Sequence, residues 1–470
     1  MFREYDVRGR VNEDEMNFDN TSLIIRAYSK LLLKRGITRA IVGYDNREES
    51  EEFAQAAIKA LVDSGIDVTY IGLTITPALY YAQYEYQCEG GVMITASHNP
   101  SGWSGFKLAC GYSKTLEPDD IKELYSIVRS GHVDCSQQKM GTLVVKNVRE
   151  AYIQALSSRI DMGPNKPRIV IDAGNSSVGL FAYELFFQLG CITFQLNCDP
   201  DFSYPHYFPN PSDVLARTRL TEMVTHPYIK ADVGISFDGD GDRIGIIDEK
   251  GNDVWSDIVL ALFSKQLLEK EPGATIVFDV KCSKALEDTI LSNQGIPLMW
   301  KTGHSYIKSK MKEVNADLAG ERSGHIFFGG DEYLGYDDAV FAAAKLVEFL
   351  SHQTHSLSEI IAALPQYATS PEIKAHCSDS DKYTIVDQIT KEFHKEYPGK
   401  VIDINGARVS FEHGWGLVRA SSNLPELVLV FEADNFKNLM EIRQIFKEKL
   451  SNFPQVATKW DNDIVENLHD

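Results

Sequence analysis

The sequence predicts an α/β protein built from several units: three related α/β units followed by a smaller α+β unit. Three observations carry that expectation. The chain has 470 residues, more than one core usually encloses. One pattern, an apolar strand ending in Asp, then a helix, then a closing Gly, occurs three times. Beyond about residue 370 the pattern changes to short strands between two longer helices.

The first copy is Ala40-Ile41-Val42-Gly43-Tyr44-Asp45, with Gly65 closing its helix. The second is Arg168-Ile169-Val170-Ile171-Asp172, closed by Gly190, and the third Thr275-Ile276-Val277-Phe278-Asp279, closed by Gly295. The Asp-to-Gly gaps of 20, 18 and 16 residues suit one helix plus its turns. In the first copy Ser50 is the expected N-cap, Glu51 and Glu52 suit the first turn, and Phe53, Ala57, Ile58 and Leu61 share a face. A left-handed Gly is expected to end each helix. Another apolar stretch follows, such as Val68-Thr69-Tyr70-Ile71, making each copy a βαβ crossover. Polar stretches near 147–166, 248–253 and 365–370 are candidate boundaries. In the tail, a strand is expected at 372–376, a helix at 382–397, two or three strands between Val401 and Phe431, and a helix from Asn435 to about Leu450. The last dozen residues are acidic, and mobility is expected there.

Composition narrows the function classes. Hydrophobic content of 43% and charged content of 24% are ordinary for a soluble globular protein. A formal charge of −20 disfavours nucleic acid and anionic membranes as partners. An anionic substrate must then be drawn by local cations. The seven cysteines (Cys88, Cys110, Cys135, Cys191, Cys198, Cys282 and Cys377) are scattered, odd in number and without a CxxC pair. Free thiols in a reducing compartment are expected. With no apolar signal core at the start and no membrane-length apolar run, the expected location is the cytoplasm.

Thr95-Ala96-Ser97-His98-Asn99-Pro100 follows the apolar run Val92-Met93-Ile94. A buried strand that stops at this polar tip presents one hydroxyl on a rigid stalk, and Pro100 blocks helix propagation. Asp238-Gly239-Asp240-Gly241-Asp242-Arg243 is the second strong signal. Three carboxylates alternating along an extended loop are expected to project from one side, with glycines letting the backbone curl around a hard cation such as Mg²⁺. An EF-hand fits poorly, because Arg243 stands at the sixth position, where that loop needs Gly, and the flanks read as strands. A metal at Asp238, Asp240 and Asp242 could bind a phosphate oxygen carried on Ser97.

Two further stretches are weaker. In Gly320-Glu321-Arg322-Ser323-Gly324-His325 a carboxylate, a hydroxyl and an imidazole sit together; a Glu can accept from two adjacent sugar hydroxyls, and a polar surface turn is the alternative. Arg419-Ala420-Ser421-Ser422-Asn423-Leu424-Pro425 could surround a phosphate, or be an ordinary turn. Tyr5 to Gly9, Phe106-Lys107, Asp279 to Ser283 and Lys301 to Ser305 read singly as solvated charges and structural imidazoles. In Tyr44-Asp45-Asn46-Arg47, Asp45 could cap the following helix, with Arg47 its partner.

These motifs, in this order from Tyr5 to Pro425, resemble the α-D-phosphohexomutases, specifically the bacterial phosphomannomutase/phosphoglucomutase branch. Gly241 is similar to that branch, where phosphoglucosamine mutases carry Ala. The resemblance implies four domains around a central cleft, three related α/β domains and a C-terminal α+β domain, with bounds of 1–147, 148–251, 252–366 and 367–470. It implies reversible interconversion of hexose 1-phosphate and hexose 6-phosphate, of mannose and glucose, through a phosphoserine and a hexose 1,6-bisphosphate that also serves as activator. Ser97 would carry the phosphoryl group and complete the Mg²⁺ site of Asp238, Asp240 and Asp242. Glu321 and Ser323 would hold O3 and O4; Arg419, Ser421, Ser422 and Asn423 the non-reacting phosphate. Lys281, His304 and His325 would line the cleft, with Tyr5, Arg8, His98, Lys107 and Arg243 near the phosphoserine. Lys107 and His304 are the candidates for proton transfer, and His98 joins Ser97 among the catalytic candidates. The chain departs from the family at two loops: Ser422 and Asn423 replace an Asn-Thr pair, and Trp103-Ser104 replace Tyr-Asn before Gly105. A phosphoglucosamine mutase or a sugar-phosphate phosphatase are the alternatives. No oligomeric state is specified.

Overall fold

Three of the four sheets repeat one strand order. The structure, a computed structural model, describes residues 1–133 and 139–464; Cys135 and the end of the acidic tail lie outside the described residues. In the first sheet the parallel strands Asp67–Leu73, Arg39–Tyr44 and Gly90–Ile94 lie side by side, and Trp103–Cys110 pairs antiparallel with the third. In the second the same places are taken by Ile192–Leu196, Arg168–Asp172, Val233–Phe237 and the antiparallel Ile244–Asp248. In the third they are taken by Ile296–Trp300, Thr275–Asp279, Leu318–Gly320 and Ile326–Phe328. The strands Val7–Arg10 and Leu143–Val145 add two edges to the first sheet, and Asp253–Val254 one to the second.

This repetition decides where function can sit. In every copy the turn from the third parallel strand to its antiparallel neighbour lies at the carboxyl end of the strand, where open α/β sheets bind ligands. That turn is the serine loop in the first unit, the Asp-rich loop in the second and the Glu321 loop in the third. The helices between strands are amphipathic for the ordinary reason. Ser50–Asp63 buries Phe53, Ala54, Ala57, Ile58 and Leu61 on one face. One continuous apolar core joins the three units, running through Ile41, Ile75, Phe181, Ile235, Leu260 and Phe341.

The fourth unit differs. Its sheet is antiparallel throughout, with Glu426–Ala433 and Gly414–Ala420 at its centre and Ala407–Ser410, Val401–Ile402, Ala368–Thr369 and Ile373–His376 around them. The helices Lys382–Glu396 and Phe436–Leu450 close its separate core around Phe393, Phe431 and Phe446. A small apolar seam of Val280, Trp415, Leu417 and Val430 joins it to the third unit.

Four expectations are corrected. Between Val401 and Ala433 there are four strands, not two or three. Ser50 begins its helix after the N-cap Glu49, and its hydroxyl bonds Asp45 Oδ1 at 2.6 Å. Gly65 and Gly190 take left-handed φ values of 83° and 76°, but in the third copy Gln294 does so, at 64°. Gly295 is small for another reason: a Cβ there would lie 2.6 Å from Leu268. The start of the acidic tail is anchored. Trp460 is buried, Asp461 pairs with Lys374, and Asp463 accepts from Arg443 Nε at 2.6 Å. The six described cysteines are free thiols. No helix among the described residues is long and apolar enough to cross a membrane.

Candidate active site

Ser97 stands at the tip of the buried strand Gly90–Ile94 with φ of 51°, a left-handed conformation that a non-Gly residue keeps only when its surroundings enforce it. The enforcement is visible. Its N–H donates to Thr95 Oγ1 at 2.8 Å, and Arg47 grips the loop from beneath. The Arg47 guanidinium donates to the carbonyls of Ser97 (2.7 Å), Asn99 (2.6 Å), Pro100 (3.1 Å) and Trp103 (3.1 Å) while pairing with Asp45 at 3.2 Å. Arg8, paired with Asp6 at 2.7 Å, holds Ala96 O and Asn99 Oδ1 at 3.1 and 2.9 Å. In sequence Arg47 reads as a partner for Asp45; in the structure it is the main clamp of the serine loop. A lone Arg two residues after an Asp offers no local signal of such a role.

The Asp-rich loop is a tight turn, not the extended stretch its alternation suggests. Gly241 has φ of 76°, and the N–H groups of Gly241, Asp242 and Arg243 all donate to Asp238 Oδ1 at 3.1 Å. The carboxylates converge because the backbone folds back on itself. The loop presses against the serine loop: a Cβ on Gly239 would lie 2.5 Å from Ser97 O, so only Gly fits. Ser97 Oγ donates to Asp238 Oδ2 at 2.6 Å and lies 3.1 Å from His98 Nδ1.

Lys107 places its ammonium between Asp240 Oδ2 (2.6 Å) and Asp242 Oδ2. Thr76 Oγ1 donates to Asp240 Oδ2 at 2.5 Å. Burial disfavours the Lys107 charge, but Asp240 and Asp242 outweigh it and raise its pKa above the ordinary lysine value. That arrangement suits a fixed cation better than the proton carrier the sequence suggested. Burial, then the Asp242 and Asp240 carboxylates, push Asp238 well above the usual carboxylate range. Burial raises Asp242 as well, yet Lys107 and His325 hold it below that range. Ligand atoms of Asp238, Asp240 and Asp242 lie within 4.8 Å of one another, and Asp240 Oδ1 and Asp242 Oδ1 are buried without hydrogen-bond partners. Crowded, under-compensated carboxylates with orphaned oxygens are what a hard divalent cation satisfies, so the donor set fits Mg²⁺.

Above this floor lies a cleft of about 120 Å³ lined from all four units. Tyr5 and His98 come from the first, Arg243 from the second, Lys281, His304, Glu321, Ser323 and His325 from the third, and Arg419, Ser421, Ser422 and Asn423 from the fourth. Arg8, Lys107 and the three aspartates lie beneath it, outside its lining. Larger cavities of about 600 and 1,000 Å³ lie elsewhere and gather none of these groups except, at the edge of one, the neighbours of His304.

Inside the cleft, Glu321 Oε1 accepts from Gly303 N–H at 2.5 Å. His304 has no hydrogen-bond partner and stands edge-on to Tyr5 at 4.9 Å. Burial, then Lys308, hold it well below the ordinary histidine value, so it is a neutral imidazole. His325 Nε2 lies 3.0 Å from Arg243 Nε, and its Nδ1 3.1 Å from Asp337 Oδ2. Asp337, which sequence reasoning missed, also faces His304 Nδ1 at 3.8 Å and Lys308 at 3.3 Å. Lys281 pairs with Glu372 at 2.5 Å, a second residue missed. Burial opposes the Glu372 charge, but Lys281 dominates and brings its pKa down to about 2. Arg419 donates to Asn405 Oδ1 at 2.9 Å and to Ser422 Oγ at 3.2 Å, and Asn423 Oδ1 is buried without a partner.

The phosphoglucomutase/phosphomannomutase family models match the chain in four pieces. The alpha/beta/alpha domains I, II and III match residues 1–133, 150–251 and 255–367, and the C-terminal domain 372–449. A phosphomannomutase/phosphoglucomutase of Pseudomonas syringae pv. tomato is 38% identical over 456 residues, covering 96% of this chain and 95% of that one. A phosphoglucomutase of Neisseria meningitidis serogroup A is 37% identical over 460 residues, covering 97% and 98%. Among solved structures, a phosphoglucomutase/phosphomannomutase family protein of Burkholderia thailandensis gives a TM-score of 0.88 at 30% identity, covering 96% of this chain and 97% of that one.

Proposed function

The chain belongs to the phosphoglucomutase/phosphomannomutase family, and on that premise we propose how its residues divide the work of interconverting hexose 1-phosphate and hexose 6-phosphate. The reading rests chiefly on one observation: Ser97 Oγ and Asp238 Oδ2 meet at 2.6 Å, joining the tips of two different units.

Ser97, carrying a phosphoryl group, transfers it to O6 of a bound hexose 1-phosphate; the bond from phosphorus to Ser97 Oγ breaks, and the proton lost by O6 is passed to Oγ. The resulting 1,6-bisphosphate turns over within the cleft. Ser97 Oγ then accepts the phosphoryl group from O1, O1 regains a proton, and hexose 6-phosphate departs. Arg8 and Arg47 hold the serine loop so that Oγ keeps one position through both transfers. We assign the taking and return of the hydroxyl proton to His98, whose Nδ1 lies 3.1 Å from Ser97 Oγ, and to His304, which lines the cleft. Mg²⁺ held by Asp238, Asp240 and Asp242 would supply Lewis-acid stabilisation of the transferring phosphoryl group. Lys107 keeps those carboxylates together. Arg419, Ser421, Ser422 and Asn423 receive the phosphate that does not react; Arg243 and Lys281 add the local positive charge that a chain of formal charge −20 needs.

Glu321 and Ser323 hold sugar hydroxyls, O3 and O4. Recognition that leaves O2 alone accommodates both glucose and mannose, which differ only there. The cleft, about 120 Å³, opens to solvent, and its lining residues from all four units are the groups a hexose phosphate would meet. Keeping water from the phosphoserine during transfer is what separates a mutase from a phosphatase.

The test is kcat/KM on mannose 1-phosphate, glucose 1-phosphate and glucosamine 1-phosphate, with Mg²⁺ and trace glucose 1,6-bisphosphate. Similar values for the first two and a far lower third are expected. Dominance of glucosamine 1-phosphate, or phosphate release as fast as isomerisation, would overturn the assignment.

A further inference from the structure

Arg322 sits between Glu321 and Ser323, yet its side chain turns away from the cleft those two line. Only 3% exposed, its guanidinium donates to Asp257 Oδ2 (3.3 Å), Thr369 Oγ1 (3.1 Å) and Ser370 O (3.0 Å), and stacks on Trp255 at 4.7 Å. Its N–H donates to Asp279 Oδ1 at 3.2 Å. Thr369 ends the short strand Ala368–Thr369 at the edge of the fourth unit's sheet, and with Ser370 it forms the connector that enters that unit. Ser370 exchanges two hydrogen bonds with Phe431, N–H to Phe431 O at 2.8 Å and Oγ from Phe431 N–H at 2.9 Å. Phe431 lies on the strand Glu426–Ala433, which begins where the phosphate loop ends.

We infer that Arg322 is a positioning residue, a brace that fixes the sugar loop at a set distance from the phosphate loop. The inference rests on the assignment of those loops above. The path is short: Glu321 and Ser323, Arg322, Ser370, Phe431, and along one strand to the phosphate loop. A cavity of about 370 Å³ is lined by Trp255, Asp257, Arg322, Tyr367 and Thr369, so side chains do not fill the space beside the brace. The two units also meet at the Val280–Trp415 seam and through Arg408, which donates to Val280 O and Cys282 O. Only a planar fork reaches Asp257 and the connector together while lying on an indole; a lysine ammonium cannot.

The consequence is a chelate effect. A hexose phosphate touches both loops, so its affinity contains the benefit of having the second loop already in place. Inorganic phosphate touches the phosphate loop alone and gains nothing from the brace.

The experiment measures binding of glucose 1-phosphate and of inorganic phosphate by calorimetry to Ser97→Ala, in which turnover is blocked, with and without Arg322→Met. Glucose 1-phosphate should bind about tenfold more weakly once the brace is removed, with inorganic phosphate unchanged. Arg322→Lys should not restore the loss. Thr369→Val, which removes one hydrogen bond, should shift glucose 1-phosphate the same way by about twofold and guards against misfolding of the first variant. Arg443→Met, which breaks the ion pair with Asp463 inside the fourth unit, should lower Tm without separating the two ligands. Unchanged glucose 1-phosphate binding in Arg322→Met, or equal weakening of both ligands, overturns the brace. Failure of Ser97→Ala itself to bind glucose 1-phosphate overturns the loop assignments on which it rests.

Discussion

The serine end of the cleft and the phosphate end are built on opposite plans. Around Ser97, every cation is already engaged with protein. Arg47 satisfies four carbonyls and Asp45, Arg8 satisfies Asp6 and the loop, and Lys107 two carboxylates. At the other end Arg419 has two contacts, Ser422 and Asn423 are only half-buried, and Asn423 Oδ1 lacks a partner. The first arrangement holds reacting atoms still before substrate arrives, which is the source of electrostatic preorganisation. In the proposed cycle, the second would keep polar capacity available for a ligand bound twice, in two orientations. Chemistry calls for rigidity at one end, and reorientation calls for adaptable recognition at the other.

The contrast can be broken most directly at Ser97. Ser97→Ala should lower mutase activity by at least about 10⁴-fold, measured in a coupled assay, while intact-mass analysis loses the phosphorylated species. Phosphate lodged stably on another residue would count against the whole plan. Next in size, Asp240→Asn should cost about 10²–10³-fold in kcat and weaken Mg²⁺ dependence. Chelation of divalent ions should silence the unmodified enzyme and added Mg²⁺ restore it; full activity in excess chelator would remove the metal from the account.

Arg47→Met sharpens the comparison, because it touches no substrate. It leaves the buried carbonyl of Ser97, three part-buried carbonyls and the Asp45 charge without their guanidinium partner, so urea unfolding should report a loss of about 3–5 kcal/mol. A loss below about 1 kcal/mol would mean that the serine loop keeps its strained form without the clamp. The smallest effect belongs to the phosphate end. Ser422→Ala removes one hydroxyl from a half-buried loop and should raise KM a few-fold with kcat nearly unchanged, the scale of one hydrogen bond. A fall in kcat as deep as that of Asp240→Asn would erase the distinction between the two ends.

Much of this was legible in the chain. The three Asp-terminated strands, the serine tip and the three spaced aspartates are local patterns, set by periodicity, turn chemistry and residue spacing within about ten residues. The roles of Arg47, Asp337, Glu372 and Arg322 were not legible. A single buried charge reads in sequence like a solvated one, and its partners lie 50 residues from Arg47, 12 from Asp337 and 91 from Glu372. The Asp-rich loop was read correctly in composition and wrongly in shape, because alternation implies an extended backbone unless three N–H groups turn inward onto Asp238.

The sequence by itself therefore determined the strand–helix–strand repeats, the Ser97 tip and the spaced aspartates that the fold brings against it, and the family to which they point. Tertiary structure alone decided which cations are locked against protein partners and which line the cleft, and that the Arg322 side chain turns away from that cleft toward the fourth unit. The physical reason is range. Propensity and hydrophobic period act between neighbours in the chain, whereas buried charges take their roles from partners that only folding brings within hydrogen-bond distance.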